Sequence, residues 1–70
     1  MAIDCPVQRL MLGDVIRITL AEGETEVEAK VVREIDRKER AVRVTLRVEG
    51  RPDFVNEWLL DALVTVVRGP

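Results

Sequence analysis

Between Val42 and Glu49 the chain alternates without a break: Val42, Val44, Leu46 and Val48 interleave with Arg43, Thr45, Arg47 and Glu49. Successive side chains of a strand point to opposite faces, so this segment buries one face and wets the other only as a β-strand. The preceding stretch, 26–36, has the same grain. Val27, Ala29, Val31 and Ile35 fall on one side, and Glu26, Glu28, Lys30, Val32 and Glu34 on the other. Pairing Asp36 with Ala41 sets Ile35 opposite Val42, Val31 opposite Leu46 and Ala29 opposite Val48, and it brings Glu34 across from Arg43. Core and surface pairs agree in that one register. Arg33 breaks the inward series, which calls for a stem buried with its head at the rim, or for a bulge that shifts the register. The polar run Arg37-Lys38-Glu39-Arg40 contains no glycine, so the connection is expected to be longer than a two-residue turn.

The rest of the chain reads the same way. Gly13-Asp14 signals a turn, and in Val15–Leu20 the residues Ile16, Ile18 and Leu20 share a face. Ala21–Thr25 is an acidic loop around a glycine able to adopt positive φ. Pro6 bars early helix or central-strand pairing, so residues 1–11 are expected to be irregular, with Val7, Leu10, Met11 and Leu12 packing as a short turn. Gly50–Asp53 makes another turn. After it the chain is ambiguous. Val55, Trp58, Leu59, Ala62 and Leu63 lie at helical spacing behind Asp53 as an N-cap; alternatively, Phe54 to Trp58 form a strand and Leu59 to Leu63 one tight helical turn. Val64–Arg68 is a last strand.

Seventy residues make one domain with a thin core, since a chain this short buries only about 60% of its unfolded surface. Valine dominates the apolar residues, and its branched Cβ suits strands. These elements predict an all-β fold: a small five-stranded barrel, closed or nearly so, with one short helix or helical turn before the last strand. Closure would also deal with bare strand edges.

The composition constrains function mainly by exclusion. The chain has no histidine, the commonest general base and metal ligand. Cys5, its lone cysteine, has no disulfide partner and no histidine to form a thiolate pair, so it reads as a small, partly buried apolar residue. Glu22, Glu24, Glu26 and Glu28 carry oxygen ligands suited to a hard cation, but alternating glutamates more often form a strand's solvated face. The glycines, at 13, 23, 50 and 69, are too scattered for a phosphate-binding loop. No enzyme, cofactor or metal is expected. No apolar run approaches the ~20 residues of a membrane span and no basic-then-apolar leader opens the chain, which leads us to expect a soluble cytoplasmic protein beginning at Met1.

Net charge is −2, yet it is uneven. Asp4, Asp14 and the four glutamates outweigh Arg9 and Arg17 early on, whereas residues 33–51 are locally basic. Arg33, Lys38, Arg40, Arg43 and Arg47 therefore form a candidate basic binding face. Small barrels bind nucleic acid by combining such a face with stacking aromatics, but here the aromatics number two and Glu28, Glu34 and Glu49 interleave with the arginines. Cross-strand ion pairing is the simpler use of those charges. A protein partner or self-association requires the fewest special residues and is favoured, with Val32 and Val55 expected to face outward. Nucleic-acid binding through the hairpin is the alternative.

The stretch from Val44 through Val67 resembles the C-terminal half of Tudor-like and chromo-barrel domains, members of the Src-homology-three-like barrel group. Asn56-Glu57-Trp58-Leu59 followed by Asp61-Ala62-Leu63-Val64 carries the likeness, and Gly13-Asp14-Val15 looks like the opening of such barrels. The resemblance implies the same fold group. The group's capture of methylated lysine or arginine needs several aromatics around the cation. With Phe54 and Trp58 alone, and no Tyr, that activity does not carry over.

Overall fold

The computed structural model describes residues 2–33 and 36–70. It is all-β, an antiparallel sheet curled into an open half-barrel, and no helix is long and apolar enough to cross a membrane. Among the described residues, seven strands replace the expected five: β1 (Ile3–Pro6), β2 (Val15–Leu20), β3 (Thr25–Val31), β4 (Asp36–Arg37), β5 (Ala41–Arg47), β6 (Phe54–Leu59) and β7 (Leu63–Arg68). Their order across the sheet is β1-β7-β2-β3-β5-β4, with β6 on the opposite side of β5 from β3 and β4.

Two departures from the expected pattern account for the count. The first divides the long second strand. Val31 pairs with Leu46 and Lys30 with Arg47, as the alternation requires, but Asp36 pairs with Arg43 and Arg37 with Val42. Val31 and Asp36 are five positions apart while their partners Leu46 and Arg43 are three apart, so a bulge shifts the register by two and splits the strand into β3 and β4. The shift lies between Val31 and Asp36, the interval that holds Arg33, where the inward series breaks. The expected pairing of Asp36 with Ala41 is therefore wrong, and Asp36 takes the place opposite Arg43 that Glu34 was to fill. The Ile35–Val42 and Glu34–Arg43 pairs involve residues 34 and 35, outside the described residues.

The second departure is β1. The N-terminal segment is a strand on β7, with Ile3 opposite Val66 and Pro6 opposite Leu63. Pro6 is tolerated because β1 is an edge strand and Pro6 is its last residue, where no further ladder needs an N–H. A 3₁₀ turn, Val7–Arg9, follows and is held by the Val7 N–H donating to the Ala62 carbonyl at 2.9 Å. Val7 and Leu10 are buried by it, while Met11 and Leu12 stay exposed.

The inward residues of the alternating segments form the core. Val42, Val44 and Leu46 of β5 meet Ile16 of β2 and Ala29 and Val31 of β3. Residues 54–59 are strand, not helix, paired to β5 with Trp58 opposite Val42 and Phe54 opposite Leu46. In place of a helix before the last strand there is a tight turn, closed by the Ala62 N–H donating to the Leu59 carbonyl at 3.0 Å. The helical spacing of Val55, Trp58, Leu59 and Ala62 loses because Phe54, Asn56 and Trp58 can instead line the inner face at period two.

Candidate binding groove and the basic hairpin

The half-barrel does not close, and the reason lies in one ladder. β2 pairs with β7 only over Val15, Ile16 and Arg17, and that ladder ends at Thr65; Leu63 and Val64 keep only β1, which lies along the other edge of β7. Ile18–Leu20 therefore have no ladder partner on that side, and β6 pairs with β5 alone among the described residues. Two unpaired strand edges border a groove of about 460 Å³ lined by Ile18, Leu20, Phe54, Asn56, Trp58 and Val64, among others. Phe54, Leu20 and Ala21 also line a neighbouring, more apolar hollow of about 370 Å³ that runs toward Pro52.

Both aromatic residues of the chain are half-buried here. Trp58 packs against the core as a partly buried residue and also lines the groove. Asn56 sits between the aromatics. Among the described residues, neither its amide nor the Trp58 indole N–H is hydrogen-bonded within the chain, and no buried side-chain nitrogen or oxygen lacks a partner. Those polar tips are consequently open to solvent, available to a ligand. The sequence did carry a signal for Asn56, a polar residue on the inward row of a strand. It carried none for Ile18 and Leu20, whose local pattern is that of ordinary core.

The five basic candidates are not gathered into one patch. Arg43 and Arg47 share the outer face of β5, Lys38 and Arg40 lie in the loop between β4 and β5, and Arg33 lies in the bulge. Three of the five have acidic neighbours. Arg47 donates through Nε and Nη2 to the two carboxylate oxygens of Asp53, both at 2.9 Å. Arg43 Nε lies 3.8 Å from Glu57 and Lys38 Nζ 3.8 Å from Asp36. Arg33 and Arg40 have no ion pair among the described residues. The early glutamates are dispersed as well: Glu22 pairs with Arg51, Glu26 with Arg17 and Glu28 with Arg68. Exposed pairs of this kind contribute little to stability, so they compensate charge more than they stabilise.

The bidentate pair is the strongest of them by geometry. The Arg47 hydrogen bonds hold the Asp53 carboxyl below the usual carboxylate range, and the positive charges of Arg47 and Arg33 add to this. Because the folded-state pKa is depressed, the pair's contribution to stability is complete above an ordinary aspartate pKa and disappears as pH falls through the lowered value. Arg47→Ala should return Asp53 toward the ordinary value, seen by titrating the carboxyl carbon by NMR. An unchanged titration would mean that the two side chains do not pair in solution. Cys5 differs in kind: burial, aided by Asp14, pushes its thiol pKa up, with Arg9 opposing, which disfavours the nucleophilic thiolate.

Fold and groove together define a class: a small all-β chain curled into an open half-barrel, with its aromatic residues in the opening. No protein-family model, curated protein or solved structure matches this chain.

Proposed function

We propose that this chain is a non-catalytic protein-binding module that takes an extended strand of its partner at the groove beside β6. One observation carries the reading. The groove lies between two unpaired strand edges, at β2 and β6, and holds both aromatic side chains. Strand addition draws affinity from main-chain hydrogen bonds and specificity from pockets for alternate side chains, and the two hollows that meet at Phe54 supply such pockets.

The strand order supports placing the fold in the Src-homology-three-like (Tudor-like) group. If β3 and β4 count as one bent strand, β2, β3/β4, β5 and β6 follow one another as a meander, and β7 returns after a tight turn to pair with β2. β1 is then an addition at the edge. The basic hairpin supports nucleic-acid binding less well, because Arg43 and Arg47 are matched by Glu57 and Asp53.

Selection of displayed random peptides against the full chain at submicromolar concentration tests the proposal. Enriched peptides should have apolar residues at alternate positions, and binding should shift the emission of Trp58, the one tryptophan. Phe54→Ala should weaken it about tenfold or more. Failure to enrich any peptide, with salt-sensitive binding of oligonucleotides in an anisotropy titration, would overturn the proposal in favour of the arginine hairpin.

A further inference from the structure

An unprotected strand edge pairs with whatever strand it meets, and proteins ordinarily blunt such edges with proline, lysine, bulges or short length. Two of the edges here are blunted. β1 ends in Pro6 and carries Asp4, and β4 is two residues long. β6 has none of these devices. Its six residues, Phe54-Val55-Asn56-Glu57-Trp58-Leu59, contain no proline and no lysine or arginine. Val55 and Leu59 are 51% and 68% exposed on its outer face. Its one charge, Glu57, lies 3.8 Å from Arg43 on the adjoining strand.

We infer that β6 is the interface for a second copy of this chain, pairing antiparallel with its counterpart about a two-fold axis at Asn56. This rests on the strand-addition reading and names its partner. The inner row of β6 is nearly palindromic about Asn56, with an aromatic residue two positions to either side. An antiparallel pair keeps inner faces together only when directly opposed residues share a face. Two such registers overlap five strand residues, one centred on Asn56 and one on Glu57. The Glu57 register sets the two Glu57 carboxylates directly opposite each other, which is unfavourable. The Asn56 register opposes no like charges. It sets Phe54 against Trp58 of the other copy, twice, and Val55 against Glu57. It also brings together two Asn56 amides, each able to donate and accept. A two-fold interface must be self-complementary in this way.

The register makes Val55 a decisive position. It is exposed and on the outer face, so charged replacements leave the core untouched. In the dimer each residue 55 faces Glu57 of the other copy. Sedimentation equilibrium of the full chain should show a concentration-dependent dimer. Val55→Glu should weaken it roughly tenfold through two like-charge pairs, whereas Val55→Lys should preserve or tighten it. In a Cys5→Ser background, Asn56→Cys should form an interchain disulfide on mild oxidation, since directly opposed antiparallel residues lie within disulfide reach. Equal weakening by Val55→Glu and Val55→Lys, or no cross-link, would overturn the register. A chain that stays monomeric up to millimolar concentration would overturn the second copy as partner. If that monomer still binds selected peptides, strand addition stands with a foreign strand in place of its own; if it binds none, both readings fall.

Discussion

Leu46→Ala should lower the unfolding free energy by about 2–5 kcal/mol, the cost of removing a buried leucine side chain and leaving a cavity. Leu46 is fully buried near the end of β5. Its ladder partners on both sides, Val31 of β3 and Phe54 of β6, are apolar. Few neighbours can collapse into the space, because the strands that flank it are tied to it by hydrogen bonds. At roughly 0.05–0.15 kcal/mol per residue a chain of this size has a total stability of about 4–10 kcal/mol. The substitution should therefore remove from about a fifth to all of it, with a fall in Tm on the order of 10–40 °C. Urea titration followed by Trp58 emission measures the loss directly. Leu59→Ala is the control: Leu59 is on the outer face and exposed, so its loss should stay within about 0.5 kcal/mol. Similar losses at the two positions would mean that the inward and outward faces have been wrongly assigned.

Gly13→Ala should cost about 1–3 kcal/mol, for two separable reasons. Gly13 has φ +93°, a left-handed conformation in which a Cβ is strained. A Cβ there would also meet the Cβ of Pro70 at 2.9 Å. The residue cannot readily move away. Its N–H donates to the Val31 carbonyl at 2.8 Å, and beside it the Val31 N–H donates to the Asp14 carbonyl at 2.9 Å. Asp14 is buried, and its Oδ2 accepts from the Met11 N–H at 2.9 Å, which closes the turn from the other side. Removing Pro70 should relieve the steric part and leave the conformational part. The Gly13→Ala chain ending at Gly69 should thus recover some stability, not all, in thermal melts monitored by circular dichroism. Full recovery would assign the cost to Pro70 alone; no loss at all would show that the turn relaxes away from positive φ.

The strands whose faces alternate were legible from the residues themselves. The Val42–Val48 row faces inward as its period demands, and Val31 opposite Leu46 follows from matching two apolar rows. The break at Arg33 marked the bulge before its size could be known. Residues 3–6 misled, because proline argues against a strand generally and only their place at a sheet edge removes that objection. The segment 54–63 was ambiguous because five apolar residues satisfied both a period of 3.6 and a strand followed by a turn. Pairing with β5 decided between them.

The candidate basic face shows the same division. The sequence places Arg43 and Arg47 on one face of one strand, and they are there. It does not say that Asp53 and Glu57 stand beside them, since that follows from the register between β5 and β6 across the Gly50–Asp53 turn.

Side-chain alternation is a property of neighbouring residues, so the sequence alone determined that this chain is all-β, which residues of its clearest strands face inward, and where glycine turns the chain. The opening of the half-barrel is decided elsewhere. It exists because the β2–β7 ladder stops at Arg17 opposite Thr65, which leaves Ile18–Leu20 without a partner on that side. No local period records where a ladder between residues about fifty positions apart begins or ends. Only the curl of the whole sheet determines which strand edges find a partner, and therefore only the tertiary structure leaves β6 and the far half of β2 bare around Phe54, Asn56 and Trp58.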